Sequence, residues 1–286
     1  MRHYFRSALR GGYAGLMSWR TLLLPCLCSL LGVALPAVAQ STRAPASAPK
    51  HLHLFLLVGQ SNMAGRGAIE DGDRAPIDHV FALNAQGEWV PAVDPVHWDK
   101  PTAGVGLARS FAVEYLKHHP GASIGFIPAA CGGSPISSWA PGEYFDGTHS
   151  HPYDDALARF RQAAASGTLK GILWHQGESD RSQELAPRYE AALTALIQRF
   201  RRELHAPKVP FVIGQLGQFA GAGPWDANAL EVDRAQRSVA AKVPFGAFVS
   251  SDGLTSNADN LHFDAASLRE FGRRYAVAFA GIEKHH

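Results

Sequence analysis

The sequence predicts a single α/β domain built on one doubly wound, mostly parallel sheet. From residue 51 onward, apolar runs of strand length alternate with amphipathic stretches of helix length, which is the pattern of parallel α/β folds. Several runs are apolar at consecutive positions, as strands buried on both faces are. The chain has 286 residues, 46% of them hydrophobic and 18% charged, which permits a large core and excludes a disordered protein.

Six apolar runs are the predicted strands. They cover residues 52–58, 80–83, 123–127, 171–175, 211–215 and 247–250. The sequence shows no internal repeat and no second domain. In a doubly wound sheet, the functional groups lie in the loops at the carboxyl ends of the strands. Functional side chains are therefore expected in the segments that follow these six runs.

The predicted helices occupy residues 107–117, 155–165, 187–204 and 230–241. In the third of these, apolar side chains fall on one face at helical spacing: Tyr189, Leu193, Leu196, Ile197, Phe200 and Leu204. A final helix is predicted to begin after the N-cap Asp264 and to end at Gly281. Between these two residues lies an apolar stripe made of Leu268, Phe271, Tyr275 and Phe279.

Residues 1–39 have the features of a secretory signal peptide. They contain arginine but no Asp or Glu, and an apolar run at 21–38 leads into the Ala-Val-Ala sequence of residues 37–39. This sequence is an A-x-A cleavage site, so the mature chain is expected to start near Gln40. An uncleaved membrane anchor is the alternative, although the run is short for a span and is interrupted by two prolines.

A signal peptide predicts an exported protein, periplasmic or extracellular, with a Ser/Ala/Pro-rich linker at 40–50 and the folded domain at 51–286. Without the four arginines of the leader, the formal net charge changes from +2 to −2, which argues against nucleic acid as a partner. Cys131 is then the remaining cysteine, so no intramolecular disulfide is expected. No membrane contact is expected after removal of the leader, and the sequence does not indicate an oligomeric state.

The turn after the first predicted strand holds a candidate nucleophile. Ser61 follows this strand directly, between Gly59 and Gly65. A serine just beyond a buried strand can present its hydroxyl at the edge of the sheet while backbone N–H groups face the same space. The segment is not a G-x-S-x-G elbow, because Met63 stands where the second glycine would be.

A second candidate group lies just before the last helix. Asp259 precedes His262 by three residues, so its carboxylate can bind one ring nitrogen and leave the other free to act as a base. Ser61 is far away in the chain, but a doubly wound sheet can bring both ends to the same edge. The other histidines do not have the spacing of a tetrahedral site and there is no H-E-x-x-H, so no catalytic metal is predicted.

Three motif blocks resemble those of a known family. The segments GQSNMAGRG at 59–67, WHQGESD at 174–180 and DNLH at 259–262 are similar to the blocks of SGNH hydrolases. The resemblance is to the branch that contains sialate O-acetylesterase-like proteins and the acetylxylan esterases of carbohydrate esterase family six. It extends over nearly the whole mature chain. It implies a three-layer α/β/α, flavodoxin-like fold and a serine esterase that needs no cofactor.

The resemblance also implies a role for each member of a triad. Ser61 would be the nucleophile, His262 the general base and then the general acid, and Asp259 the residue that orients His262. Glu178, in the second block, is an alternative for the acid, because parts of the family assign the acid to the glutamate of this segment. The short D-x-x-H spacing favours Asp259, since it holds the carboxylate close to the ring.

The oxyanion hole implied by the resemblance has three donors. They are the N–H of Ser61, a glycine N–H in the segment 131–134, and the side-chain amide of Gln176. Gly133 is the expected glycine, with Gly132 as the alternative. The asparagine of the name-giving SGNH pattern is absent, and Gln176 carries the same amide on a longer arm.

Substrate contacts are expected from polar and aromatic side chains near the nucleophile. Gln60 and Asn62 flank Ser61, and the loops after two later strands carry Trp139 and Trp225. Aromatic faces on these loops could stack on sugar rings while polar neighbours bind hydroxyl groups. The alternative is that the aromatic side chains close the loops against the core.

The expected function is the removal of acetyl groups from a carbohydrate, of the acetylxylan or sialate type, through an acetyl-enzyme on Ser61. Two other functions stay open: an SGNH esterase or lipase acting on non-sugar esters, and a carbohydrate-binding module without catalysis. The sequence has no long apolar lid segment, which disfavours lipids. The presence of the serine, the histidine and both acids favours catalysis. The partner expected is therefore an acetylated carbohydrate substrate, whose identity depends on the shape of the pocket.

Overall fold

The structure is a computed structural model that describes residues 49–285. The predicted signal peptide and most of the predicted linker lie outside the described residues, so both remain predictions. A seven-stranded sheet forms the centre of the described part. Its strands are β1 (Leu52–Gly59), β2 (Val80–Leu83), β3 (Trp89–Pro91), β4 (Ile124–Pro128), β5 (Gly167–His175), β6 (Phe211–Gly214) and β7 (Gly246–Val249).

The sheet is doubly wound. Its strand order is β3-β2-β4-β1-β5-β6-β7, and neighbouring strands are parallel except β2 and β3. The strand β1 lies in the middle, between β4 and β5. Because parallel strands end at the same edge, the loops that follow these three strands meet above the centre of the sheet.

Helices cover both faces of the sheet. They are α1 (Ser61–Ala64), α2 (Ala108–His118), α3 (Pro152–Ala163), α4 (Tyr189–Glu203), α5 (Ala227–Lys242) and α6 (Ala265–His285). Along β1, Leu54 and Leu56 pack into a core with α3, α4 and α5, whereas Phe55 and Leu57 pack into a second core with α2 and α6. A central strand buried on both faces thus separates two helical layers, and the predicted three-layer fold is confirmed. Among the helices of this part of the chain, none has the length and apolar composition of a membrane span.

Two local predictions differ from the structure. The sequence does not predict β3, which has three residues, pairs antiparallel with β2 at the edge of the sheet and is partly exposed. With three residues it is shorter than the runs of four to seven residues from which the other strands are predicted. The last helix does not end at Gly281 but continues to His285. The glycine remains helical because the next residue, Ile282, continues the apolar stripe into the core.

Candidate active site

The first strand positions the candidate nucleophile. At its end, Gly59 has a φ of +133°, and a Cβ at this position would collide with the carbonyl of His175 on β5. Only glycine allows the chain to leave the sheet so close to the neighbouring strand. Ser61 then begins the short helix α1 at the carboxyl edge of the sheet, with 7% of its surface exposed.

Ser61, His262 and Asp259 form a continuous hydrogen-bond chain. His262 Nε2 lies 2.9 Å from Ser61 Oγ, and His262 Nδ1 lies 2.7 Å from Asp259 Oδ2. The backbone N–H groups of Leu261 and His262 donate to Asp259 Oδ1, each at 2.9 Å. Burial would raise the pKa of Asp259, but these hydrogen bonds outweigh burial and lower it. A charged Asp259 favours the tautomer with the proton on Nδ1, which leaves Nε2 to accept the Ser61 hydroxyl.

Asn62 holds the backbone on both sides of His262. Its Oδ1 accepts from the N–H of Phe263 at 3.1 Å, and its Nδ2 donates to the carbonyl of Leu261 at 3.2 Å. The residue is 1% exposed, so its amide does not face a substrate. This corrects the prediction that Asn62 binds substrate: its side chain fixes the position of the histidine relative to the serine.

Glu178 does not contact His262. Its Oε1 accepts from Asn62 Nδ2 at 2.6 Å and lies 3.6 Å from the buried Nδ1 of His175. The two carboxylates that the sequence offers as the acid thus have different partners. Asp259 binds the imidazole of His262, whereas Glu178 binds Asn62, whose amide holds the backbone on both sides of His262. The geometry does not support Glu178 as the acid of the triad.

The loop after β4 carries the candidate oxyanion glycines, and one of the two N–H groups is already in use. The N–H of Gly132 donates to Asp99 Oδ2 at 2.9 Å, and Arg66 holds the same carboxylate in a buried ion pair at 2.7 Å. A Cβ on Gly132 would lie 2.5 Å from both side chains. Gly133, at φ +90°, lines the cleft next to Ser61, and its N–H has no acceptor within residues 49–285. The structure therefore favours Gly133 over Gly132 as the donor.

Gln176 does not point into the cleft, which corrects its prediction as an oxyanion donor. The residue is fully buried, and its Nε2 donates to the carbonyl of Ser134 at 3.0 Å and to the carboxylate of Asp180. The Asp180 carboxylate also accepts from the N–H of Ile136 at 3.0 Å. Burial raises the pKa of Asp180 to about 6. These contacts join the loop after β4 to the loop after β5.

Gln60, unlike Gln176, lines the Ser61 cleft. Its Oε1 accepts from the backbone N–H groups of Gly177 at 3.3 Å and Ser179 at 3.5 Å, which fixes the orientation of the amide. Its Nε2 has no acceptor within the described chain. Gln60 is 3% exposed and lines the same cleft as Ser61, so this Nε2 is available as a donor in the cleft.

The cleft around Ser61 has a volume of about 490 Å³. Besides the residues above, it is lined by the cationic side chains of Lys100 and Arg181. Trp139 is not part of it: the indole is fully buried, packs edge-on against Trp174 and donates to Ser134 Oγ at 3.0 Å. The predicted role of Trp139 in substrate binding is wrong, because this ring closes its loop against the core.

Trp225 occupies a different place from Trp139. Its ring is half-buried and lines a cavity next to the Ser61 cleft, and its Nε1 donates to the carbonyl of Gly217 at 3.2 Å. Its assignment to substrate binding remains a proposal.

The part of the chain that the structure describes has no cluster of three or more His, Cys, Asp or Glu arranged to hold a metal ion.

Sequence reasoning missed Asp99. This residue lies outside the three motif blocks, in a loop before α2, and no local pattern marks it. Its importance follows from contacts with Arg66 and Gly132, each 33 positions away in the chain. Only the folded chain shows that one carboxylate holds the serine loop and the glycine loop together.

The comparisons with known proteins agree with this fold. Among solved structures, a protein of Arabidopsis thaliana has a TM-score of 0.71 and 29% identity, over 81% of this chain and 99% of that one. A carbohydrate acetylesterase of Xanthomonas citri has a TM-score of 0.63 and 23% identity, over 82% of this chain and 57% of that one. The fold is that of the SGNH hydrolases.

The family can be stated more closely. A family model described as carbohydrate esterase, sialic acid-specific acetylesterase matches residues 51–281. A probable carbohydrate esterase of Arabidopsis thaliana is 31% identical over 247 residues, which cover 79% of this chain and 89% of the relative. Human sialate O-acetylesterase is 26% identical over 170 residues, 51% of this chain and 31% of the human protein. The chain belongs to this carbohydrate esterase family, whose members are hydrolases of carbohydrate acetyl esters.

Proposed function

We propose that this protein is an exported serine esterase that removes O-acetyl groups from carbohydrates of the acetylxylan or sialate type. The observation that carries the proposal is the hydrogen-bond chain from Ser61 through His262 to Asp259, which opens onto a cleft bordered by the free N–H of Gly133. Nucleophile, base and orienting acid are in contact, and an electrophilic group lies beside them. This arrangement performs acyl transfer.

The first half of the reaction transfers the acetyl group to the enzyme. Ser61 Oγ attacks the carbonyl carbon of the ester, and its proton passes to His262 Nε2. The negative charge on the carbonyl oxygen is stabilised by the N–H groups of Ser61 and Gly133, with Gln60 Nε2 as the third donor in place of Gln176. The carbon–oxygen bond to the sugar then breaks, and His262 gives the proton to the sugar oxygen. The products are acetyl-Ser61 and the free hydroxyl of the sugar.

The second half releases acetate. A water molecule attacks the acetyl-Ser61 carbonyl while His262 Nε2 takes one of its protons. The second tetrahedral intermediate collapses, and the proton returns to Ser61 Oγ. Asp259 remains ionised throughout and stabilises the imidazolium that forms in each half. No step needs a cofactor.

Hydrolysis of p-nitrophenyl acetate, butyrate and octanoate by the mature protein tests this proposal. We expect activity that falls as the acyl chain lengthens and that is lost in Ser61→Ala. Ser238→Ala is the matched control, because this serine lies on α5 and binds Glu190 at 2.7 Å. Full activity in Ser61→Ala would refute the serine mechanism, and a preference for octanoate would favour a lipase-like esterase. Acetylated xylan and O-acetylated sialic acid are then the sugar substrates to compare.

A further inference from the structure

We propose that the enzyme has a second sugar subsite next to the Ser61 cleft and that its preferred substrate is an acetylated oligosaccharide rather than a monosaccharide. The inference rests on the proposed function and extends it. The subsite is a cavity of about 310 Å³, here called the outer cavity, formed between the loop after β5 and the glycine-rich loop after β6. Its volume lies at the lower end of small-ligand pockets, which start at about 300 Å³.

The outer cavity adjoins the Ser61 cleft. Glu178, Arg181 and Leu261 line both. Leu261 precedes His262 in the chain, so the shared wall includes the loop of the general base. A sugar that presents its acetyl group to Ser61 therefore has the outer cavity directly beside it. A neighbouring ring of the same glycan can enter this cavity without leaving the protein surface.

The side chains of the outer cavity match a sugar ring. Trp225 packs partly against the core, and its hydrogen bond to Gly217 fixes the plane of the indole. The rest of its ring faces the cavity and offers the flat apolar surface on which a sugar can stack. A fixed aromatic ring loses little conformational freedom when a ligand binds.

Polar groups surround this aromatic surface. Arg181 uses Nε to bind the carbonyl of Glu178 at 3.3 Å and makes no ion pair within the described residues, so its terminal nitrogens are free. The side-chain amide of Asn260 likewise has no hydrogen-bond partner in residues 49–285. Asp226 contributes a carboxylate whose Oδ1 caps α5 and whose Oδ2 is free. Donors and acceptors around one aromatic face suit a ring of hydroxyl groups better than an acyl chain.

Chain-length preference tests the subsite. We would measure kcat/KM for acetylated xylose against acetylated xylotetraose, and for free O-acetylated N-acetylneuraminic acid against the same sugar in sialyllactose. In at least one pair we expect the oligosaccharide to be favoured about tenfold, the effect of one good aromatic contact. In Trp225→Ala, the ratio of kcat/KM for the oligosaccharide to kcat/KM for the monosaccharide should fall to about one. Arg181→Met is a second variant with the same expectation.

Tyr144→Ala is the matched control. Tyr144 is an exposed aromatic residue on the loop after β4 that lines neither cavity, so its removal should leave the ratio unchanged. A ratio near one in the unmodified enzyme for both pairs, or an unchanged ratio in both Trp225→Ala and Arg181→Met, would overturn the subsite. Failure of the proposed function looks different, since no sugar would then release acetate.

Binding gives a readout that does not depend on catalysis. Titration calorimetry of Ser61→Ala with deacetylated xylotetraose, xylose, sialyllactose and N-acetylneuraminic acid should show tighter binding of at least one oligosaccharide than of its monosaccharide. The double variant Ser61→Ala/Trp225→Ala should lose that difference. Equal affinities for both sizes in Ser61→Ala would refute the subsite even if the enzyme is an esterase.

Discussion

At the scale of single residues, the two carboxylates near His262 have different partners. Asp259 binds the imidazole of His262 directly, and Glu178 binds Asn62. We expect Asp259→Asn to lower kcat by about 10⁴-fold, because the amide favours the wrong tautomer of the histidine. Glu178→Gln should cost much less, since a glutamine can still accept from Asn62. Steady-state kinetics on p-nitrophenyl acetate decide between them. An equal loss of kcat in both variants would support Glu178 as a member of the triad.

Asn62 acts on the histidine through the backbone. Its amide binds Leu261 and Phe263, which stand on either side of His262. Asn62→Ala should lower kcat by about 10²-fold with little change in KM, because a displacement of about 1 Å has this effect on a reacting group. The measurement is the kcat and KM of the variant beside its thermal unfolding. A loss of stability with kcat unchanged would show that Asn62 only supports the fold.

Gln60 can be tested by a near-isosteric change. In Gln60→Glu the acceptor for Gly177 and Ser179 is kept, but the Nε2 donor is replaced by a carboxylate oxygen. We expect kcat to fall by at least about 10²-fold, the usual effect of removing one oxyanion donor. Burst kinetics with p-nitrophenyl acetate measure the acylation step separately. Acylation at the wild-type rate would exclude Gln60 from the oxyanion hole.

At the scale of elements, α6 begins directly after the loop that carries Asp259 and His262, and its N-cap joins the two. Asp264 Oδ1 accepts from the N–H of Ser267 at 2.8 Å, which confirms the predicted cap, and Oδ2 accepts from Thr255 Oγ1 at 2.5 Å. Asp264→Ala should reduce the free energy of unfolding by about 1 kcal/mol, a typical value for a lost cap. Urea unfolding at pH 7 measures this change. Asp264→Ser, which can still cap, should recover most of it, and equal stability of both variants would contradict the prediction.

At the scale of the whole molecule, buried carboxylates make stability depend on pH. Burial raises the pKa of Asp180 to about 6, so the folded state holds this proton more firmly than the unfolded chain does. The contribution of Asp180 to stability is therefore greatest at low pH and falls as pH rises from about 4 to 6. Between pH 7 and pH 4, the free energy of unfolding of the wild type should rise by up to about 3 kcal/mol relative to that of Asp180→Asn.

Urea unfolding of both proteins at pH 4, 5.5 and 7 measures this difference. The other titrating groups are common to wild type and variant, so the comparison isolates Asp180. Asp94, whose pKa burial also raises to about 6, provides a parallel case in Asp94→Asn. Identical pH dependence in wild type and Asp180→Asn would show that Asp180 titrates normally in the fold.

The fold class, the six strands of the predicted sheet and the members of the hydrogen-bond chain at Ser61 could all be predicted from the sequence. Each of these signals is local. A buried strand is a short apolar run, and Asp259 and His262 are only three residues apart, so the turn between them already holds the carboxylate on the ring. The signal peptide and export rest on the sequence alone and stay predictions.

Which of the neighbouring side chains line the Ser61 cleft depends on the tertiary structure. Gln176 and Trp139 have plausible positions in the sequence, yet both are buried by contacts with the loops around them. Asn62 binds Phe263 across 201 positions, and Gln60 binds Gly177 across 117. The direction of a side chain depends on such distant partners, because hydrogen bonds and packing form between segments that the fold brings together, and no local pattern encodes them.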